Sequence, residues 1–393
     1  MGWQIASSRL THDFSALPFK MKELTLLIKI TPQVDGSGLR LILQNRFNHT
    51  ALLFDELIVS HDEKMSDAKS ITRGKQKQIA IVGNGAVHTD ALPFEVIAGQ
   101  PLYFRMRALQ KQTYADFSCV YDETFYNAIM AGTKNAAPHL PHNWQARKGW
   151  FCISCLEVWT NKKTPIIELT GDSLAETGMI ETGLIKQLLN QAVVVNTGIS
   201  GNRLLHDAPQ DGPLYQTFGQ SLIKRATQST DPHPHPIIAL IGSNDLVLPL
   251  IDGQSAHELV TPGQYLAGVS QLKQILDDRR CPLILTTIPP FSPHVAPQQE
   301  NILLDAQQRR LLINQELRRF EWVVDLDPWL LGNDGGLKEI YDFGDHLHLN
   351  AAGGMVAAQA IMQKLSQLGY DKRFYLMATA DFIAAGHNDF RAS

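Results

Sequence analysis

Cysteine is scarce: four residues, Cys119, Cys152, Cys155 and Cys281, serve a chain of 393. That is too few for a disulfide framework at this length. Cys152-Ile-Ser-Cys155 has the spacing of half a zinc or redox site, yet no second pair of ligands accompanies it, and no metal is expected. The run Trp150–Trp159 around it reads as one strand, where residues three apart face opposite sides and thiols are ordinarily structural. Also missing is any apolar run of about 18 residues, so no membrane-spanning helix is expected. Positive charge is not in surplus either. The 35 Lys and Arg stand against 39 Asp and Glu, a formal charge of −4 without the basic cluster that nucleic-acid phosphates demand. The opening Met1-Gly-Trp-Gln-Ile-Ala-Ser-Ser carries neither the charged nor the apolar stretch of a secretory leader, and a cytoplasmic protein is expected.

What the chain does contain divides near residue 160, and its length calls for two domains. Before that point apolar and polar residues alternate, as half-buried antiparallel strands require: Leu39-Arg-Leu-Ile-Leu-Gln, and Leu102-Tyr-Phe-Arg-Met-Arg with Arg105 and Arg107 on the outer face. Gln78-Ile-Ala-Ile-Val precedes the turn pair Asn84-Gly85, and Gly36-Ser-Gly and Gly99-Gln-Pro punctuate further strands. Many short strands with Gly and Pro turns predict an antiparallel β-sandwich over 1–160.

After the polar link Asn161-Lys-Lys-Thr-Pro the rhythm becomes strand, loop, helix. Pro165-Ile-Ile-Glu-Leu-Thr, Ala192-Val-Val-Val-Asn, Ile237-Ile-Ala-Leu-Ile, Pro282-Leu-Ile-Leu-Thr-Thr and Trp322-Val-Val-Asp-Leu are nearly continuous apolar runs, the mark of strands covered on both faces. Helical stripes intervene: Ile185, Leu188 and Leu189; Tyr265, Val269, Leu272 and Leu276; Leu311, Ile313 and Leu317. A last helix follows the N-cap Asn350 through Met355 to Leu365. This predicts a doubly wound α/β domain over 161–370, with ligands beyond the carboxyl ends of its strands. The remaining 371–393 form a C-terminal extension. Its Phe374, Leu376, Met377, Phe382 and Ile383 would pack onto the body or onto a second subunit in a homo-oligomer.

Four short blocks carry the chemistry. Gly171-Asp-Ser-Leu174 follows the first parallel strand, where a serine on a tight turn can act as nucleophile once a base takes its proton. Alone, that tetrapeptide would arise by chance in roughly one chain in a hundred of this size, and Asp and Ser also serve as helix caps. Asn196-Thr-Gly-Ile-Ser-Gly201 follows the second strand, Gly242-Ser-Asn-Asp245 the third, and Asp345-His-Leu-His348 precedes the final helix. A hydrolase needs a nucleophile, a base, an orienter for the base and donors for the oxyanion, and these loops supply all four from one sheet edge.

In these blocks the chain resembles the SGNH branch of the GDSL lipases and esterases, over about residues 165–367. The matching positions are Ser173, Gly201, Asn244 and His348, with Asp345 three residues before the histidine. Asn196-Thr-Gly-Ile-Ser-Gly-Asn-Arg-Leu-Leu and Tyr341-Asp-Phe-Gly-Asp-His-Leu-His-Leu-Asn look like a subgroup with an N-terminal β-sandwich. Gly38-Leu-Arg-Leu-Ile-Leu-Gln-Asn-Arg-Phe and Ile97-Ala-Gly-Gln-Pro-Leu fit it as well. Several members of that subgroup look like esterases of acylated carbohydrate.

The resemblance implies a flavodoxin-like parallel sheet behind the sandwich, no cofactor, and a Ser173–His348–Asp345 triad. It also implies an oxyanion hole of the Ser173 and Gly201 amides and the Asn244 side chain. The expected partner is a small acylated substrate, acetyl esters on sugar among them, rather than a nucleic acid or a membrane. His346 competes with His348 for the base, and Asp342 with Asp345, but the family spacing selects His348 and Asp345. Asp172 and Asp245 read as loop braces. Leu349 stands where relatives often carry proline, and the block after the nucleophile lacks their aromatic–proline pair. Trp144, Trp150 and Trp159 could stack on sugar, although aromatic rings more often pack a core. His139 and His142, and the Pro-His alternation of 231–236, read as stiff loops. Two rival functions remain: an acyltransferase with the same triad, and a carbohydrate-binding protein whose second domain is silent.

Overall fold

The computed structural model describes residues 1–131, 149–229, 234–251 and 255–370. Trp144, His139, His142, the start of the Pro-His alternation and the segment 371–393 lie outside the described residues. The chain divides into two compact units, one holding Met1–Ile166 with Ile185–Val195, the other Ile167–Leu184 with Asn196–Leu368.

Among the described residues the first unit contains two larger antiparallel sheets and three small ones. In one, Gly85–His88, Gly36–Asn45, Ile153–Thr160 and Gly2–Arg9 pair in that order, with Val87 opposite Leu43 and Val158 opposite Leu39. In the other, Leu24–Ile30 and Glu56–Ser60 flank Leu102–Ala108, which brings Ile28, Phe104 and Val59 into line across the sheet. Leu24–Ile30 and Leu102–Ala108 in the second sheet, like residues 39–45 in the first, alternate strictly between buried and half-buried residues, so each sheet commits one face to the core of a β-sandwich. On the outer face Arg105 Nε donates to Glu56 Oε1 at 2.9 Å.

The expected strand Trp150–Trp159 is broken. Cys152 takes a left-handed φ of 67° between Gly149–Phe151 and Ile153–Thr160, and the register with Gly36–Asn45 shifts just beyond it. Both thiols of the Cys-x-x-Cys stretch are free and buried, and burial pushes the Cys155 thiol up to about 12. Trp150 is a core residue whose Nε1 donates to Ile153 O at 2.7 Å, whereas Trp159 is half-buried, edge-on to Trp3.

In the second unit Ile166–Gly171, Ile237–Leu240, Leu283–Thr286 and Val323–Val324 are parallel neighbours in that order, with Leu169, Ile238 and Ile284 in register. Ile237–Leu240 and Leu283–Thr286 are buried at all four positions, as apolar strands covered on both faces must be. Helices Pro262–Asp278 and Glu300–Leu317 connect successive strands, in a flavodoxin-like doubly wound arrangement. Tyr265, Val269, Leu272 and Leu276 are the buried face of the first. On the second, Leu311 does not join Ile313 and Leu317. It is 50% exposed, and the inner face is completed instead by Ala306, Arg310 and Asn314. Arg310 can occupy that face because Asp327 Oδ1 accepts from it at 2.7 Å. Among the described residues no helix is long and apolar enough to cross a membrane.

Candidate active site

Ser173, Gly201, Asn244, Asp345 and His348 all belong to the second unit. Strand Ile166–Gly171 ends at the loop of Ser173, where Asp172 caps the short helix Ser173–Glu176 by accepting from Leu174 N at 2.9 Å. Asn244 sits in the first turn of Ser243–Ile251, after Ile237–Leu240. In both places the neighbouring residues are buried while the named one is half-buried. Asp172 and Leu174 flank Ser173, and Ser243 and Asp245 flank Asn244. The polar functions therefore reach solvent at the carboxyl edge of the sheet, where doubly wound folds place their ligands.

The histidine arrives from the other end of the domain. Asn350 caps helix Ala351–Gln367 by accepting from Gly353 N at 3.0 Å, and its own amide donates to the Ile340 and Asp342 carbonyls, which shapes the preceding loop. Asp345 Oδ1 accepts from Leu347 N at 3.1 Å and from His348 N at 2.8 Å, a tight Asx-type turn. Its Oδ2 lies 2.6 Å from His348 Nδ1, and His348 Nε2 lies 2.7 Å from Ser173 Oγ. A carboxylate only accepts, so Nδ1 carries the hydrogen and Nε2 offers its lone pair to the serine hydroxyl. Partial burial opposes the charged form of Asp345. The bond and charge of His348, with the two backbone N–H groups, outweigh it and hold the acid well below the usual carboxylate range.

Gly201 has a φ of 78°, and a Cβ built there would fall inside the ring of Phe218. Only glycine lets that aromatic ring lie against the backbone at this point. Asn244 Nδ2 donates to Asn202 O at 3.2 Å, which ties it to the residue after Gly201 and leaves its second hydrogen without an acceptor among the described residues. The N–H groups of Ser173 and Gly201 have no acceptor among the described residues.

Other carboxylates secure the loops. Asp245 accepts from Leu204 N at 2.8 Å and Leu205 N at 3.2 Å. Ser200 donates to Glu176 through both N, at 3.1 Å, and Oγ. Asn196 donates to Ala175 O at 2.7 Å and to Glu181 Oε2 at 2.8 Å. Behind them Thr197 Oγ1 donates to Glu168, which also pairs with the buried His235 at 3.0 Å, while Arg225 Nη1 donates to Asn202 Oδ1 at 2.9 Å. Sequence reasoning missed Glu168, Glu176, Glu181, Arg225 and Phe218. Glu168 alone left a signal, as a charge inside an apolar strand run. Burial pushes Asp172 up to about 7 and Asp245 up to about 6, each against the pull of its backbone donors. Among the described residues no group of three or more His, Cys, Asp or Glu could hold a metal ion.

Residues 169–355, which contain all five site positions, match the family model of the GDSL-like Lipase/Acylhydrolase family. They form a GDSL-like lipase/acylhydrolase domain. The protein is accordingly a carboxylic ester hydrolase, and the blocks around Ser173, Gly201, Asn244 and His348 fall inside the matched stretch of this esterase. No curated protein matches the chain. Among solved structures, a GDSL-like lipase from Bacteroides thetaiotaomicron is 16% identical, aligned over 52% of this chain and 88% of its own, with a TM-score of 0.37. An acetyl xylan esterase variant from Geobacillus stearothermophilus is 18% identical over 52% of this chain and 97% of its own, with a TM-score of 0.34.

Proposed function

We propose that the esterase cleaves small acyl esters, acetyl groups on carbohydrate foremost, through an acyl-enzyme on Ser173. The reading rests on one observation above others, the 2.7 Å approach of His348 Nε2 to Ser173 Oγ with Asp345 on the opposite ring nitrogen. In the first half-reaction His348 takes the hydroxyl proton as Oγ attacks the ester carbonyl. Asp345 holds the imidazole in the correct tautomer and stabilises the imidazolium. The developing oxyanion is received by the amides of Ser173 and Gly201 and the side-chain amide of Asn244. Collapse expels the alcohol with the proton from His348. Water, activated by the same imidazole, then attacks the acyl-enzyme and releases the acid and free Ser173. No metal or organic cofactor enters these steps. A panel of acetyl, butyryl and longer aryl esters tests the reading. Wild type is expected to turn over the acetyl ester fastest and Ser173→Ala to lose that activity; an active Ser173→Ala overturns it.

A further inference from the structure

The loop that carries His348 holds a second imidazole–carboxylate pair. His346 takes a left-handed φ of 60°, uncommon outside glycine and costly to maintain. Its Nδ1 lies 2.7 Å from Asp342 Oδ2, and the Asp342 side chain is only 5% exposed. Asp342 Oδ1 accepts from Gly344 N at 2.8 Å and from His346 N at 3.0 Å, and His346 O accepts from Ser292 N at 2.8 Å. The ring meets His294 edge-on, with centroids 4.9 Å apart. The imidazole is thus fixed by a nearly buried acid, two backbone bonds and a ring contact.

Since the carboxylate can only accept, Nδ1–H is committed to Asp342 and Nε2 presents a lone pair. An acid at Nδ1–H also makes that nitrogen more basic, hence a better acceptor. Nε2 has no protein partner among the described residues, on a side chain 42% exposed. The pair with Asp342 and the turn made by Asp345 offset the cost of the left-handed backbone, but neither uses Nε2. Two residues span at most about 7 Å, so the Cα of His346 lies within that reach of the Cα of His348, whose ring meets Ser173. His294 lies in the segment between strand Leu283–Thr286 and helix Glu300–Leu317.

We propose that His346 Nε2 accepts a hydrogen bond from a hydroxyl on the alcohol half of the ester, so that the enzyme selects esters of polyhydroxylated alcohols such as sugars. The inference rests on the esterase reading above and deepens it. The test compares a monoacetylated methyl pyranoside with 4-nitrophenyl acetate, whose alcohol half has no spare hydroxyl. It uses wild type, His346→Gly, which accepts the left-handed φ, and His346→Asn, which tolerates it with a shorter side chain. The kcat/KM ratio of sugar ester to aryl ester is expected to fall roughly 10-fold or more in each folded variant. A ratio unchanged in either folded variant overturns the inference. So does a wild type that cleaves the aryl ester but not the sugar ester, with the esterase reading left standing. A wild type that cleaves neither overturns the esterase reading itself.

Discussion

His348 Nε2 meets Ser173 Oγ at 2.7 Å although 175 residues separate them in the chain. The helices that follow the two loops show how that separation is closed. Ala351–Gln367 and Met179–Leu188 approach so closely that a Cβ on Gly354 would lie 2.5 Å from the carbonyl of Met179. Close packing of backbone on backbone holds the starts of these two helices together.

The imidazole tautomer depends on Asp345. In Asp345→Asn the amide can donate toward Nδ1, which places the hydrogen on Nε2 and points it at the serine. The account predicts a kcat lower by on the order of 10³–10⁴-fold in a folded protein. Steady-state kinetics on an acetyl ester, with circular dichroism for the fold, checks it.

Asn244 is half-buried and has one amide hydrogen without an acceptor among the described residues. Asn244→Ala is expected to lower kcat by about 10²–10³-fold while KM stays within a few-fold, because the lost bond forms only in the transition state. A variant with near-normal turnover removes Asn244 from the oxyanion hole.

How legible all this was in the sequence depended on the range of the determinant. The strand runs after residue 160, the Tyr265–Leu276 stripe and the Asn350 cap are local patterns, and the structure realises each of them. The five site positions stood in short blocks, each tied to a strand end or helix start. Leu311 misled because helical spacing cannot say which stripe turns inward when Arg310 and Asn314 find partners in the core. The break at Cys152 was hidden because a bulge depends on the neighbouring strand. Phe218 comes seventeen residues after Gly201, and only the tertiary fold puts its ring on that glycine.

That ring supports a further prediction. Gly201→Ala thrusts a methyl group into Phe218 and holds alanine at a φ of 78°. Overpacking of this kind costs about 1–3 kcal/mol and displaces the loop amide, so both melting temperature and kcat should fall. In a Phe218→Ala background the same Gly201→Ala change should cost only the left-handed penalty of about 1–2 kcal/mol. Thermal melts of the single and double variants decide this.

Asp172 gives the protein a pH dependence of definite sign. Burial, reinforced by Asp245, keeps the folded acid protonated up to about pH 7, against the pull of Leu174 N–H and His348. An unfolded chain releases that proton near the ordinary carboxylate value. The folded state therefore binds more protons in between, and this group's contribution to stability falls as pH rises from about 4 to 7. Asp172→Asn keeps the cap and removes the titration. Urea unfolding should find it more stable than wild type at pH 8 by a few kcal/mol, at about 1.4 kcal/mol per pKa unit, with a smaller gap at pH 5. A gap that does not change with pH contradicts the assignment.

Labelling with a fluorophosphonate, read by peptide mass spectrometry, tests directly whether Ser173 is the nucleophile that His348 activates. The account predicts a single adduct on Ser173, formed by wild type and lost or greatly slowed in His348→Ala. An unlabelled wild type, an adduct on another serine, or labelling of His348→Ala at the wild-type rate would contradict it.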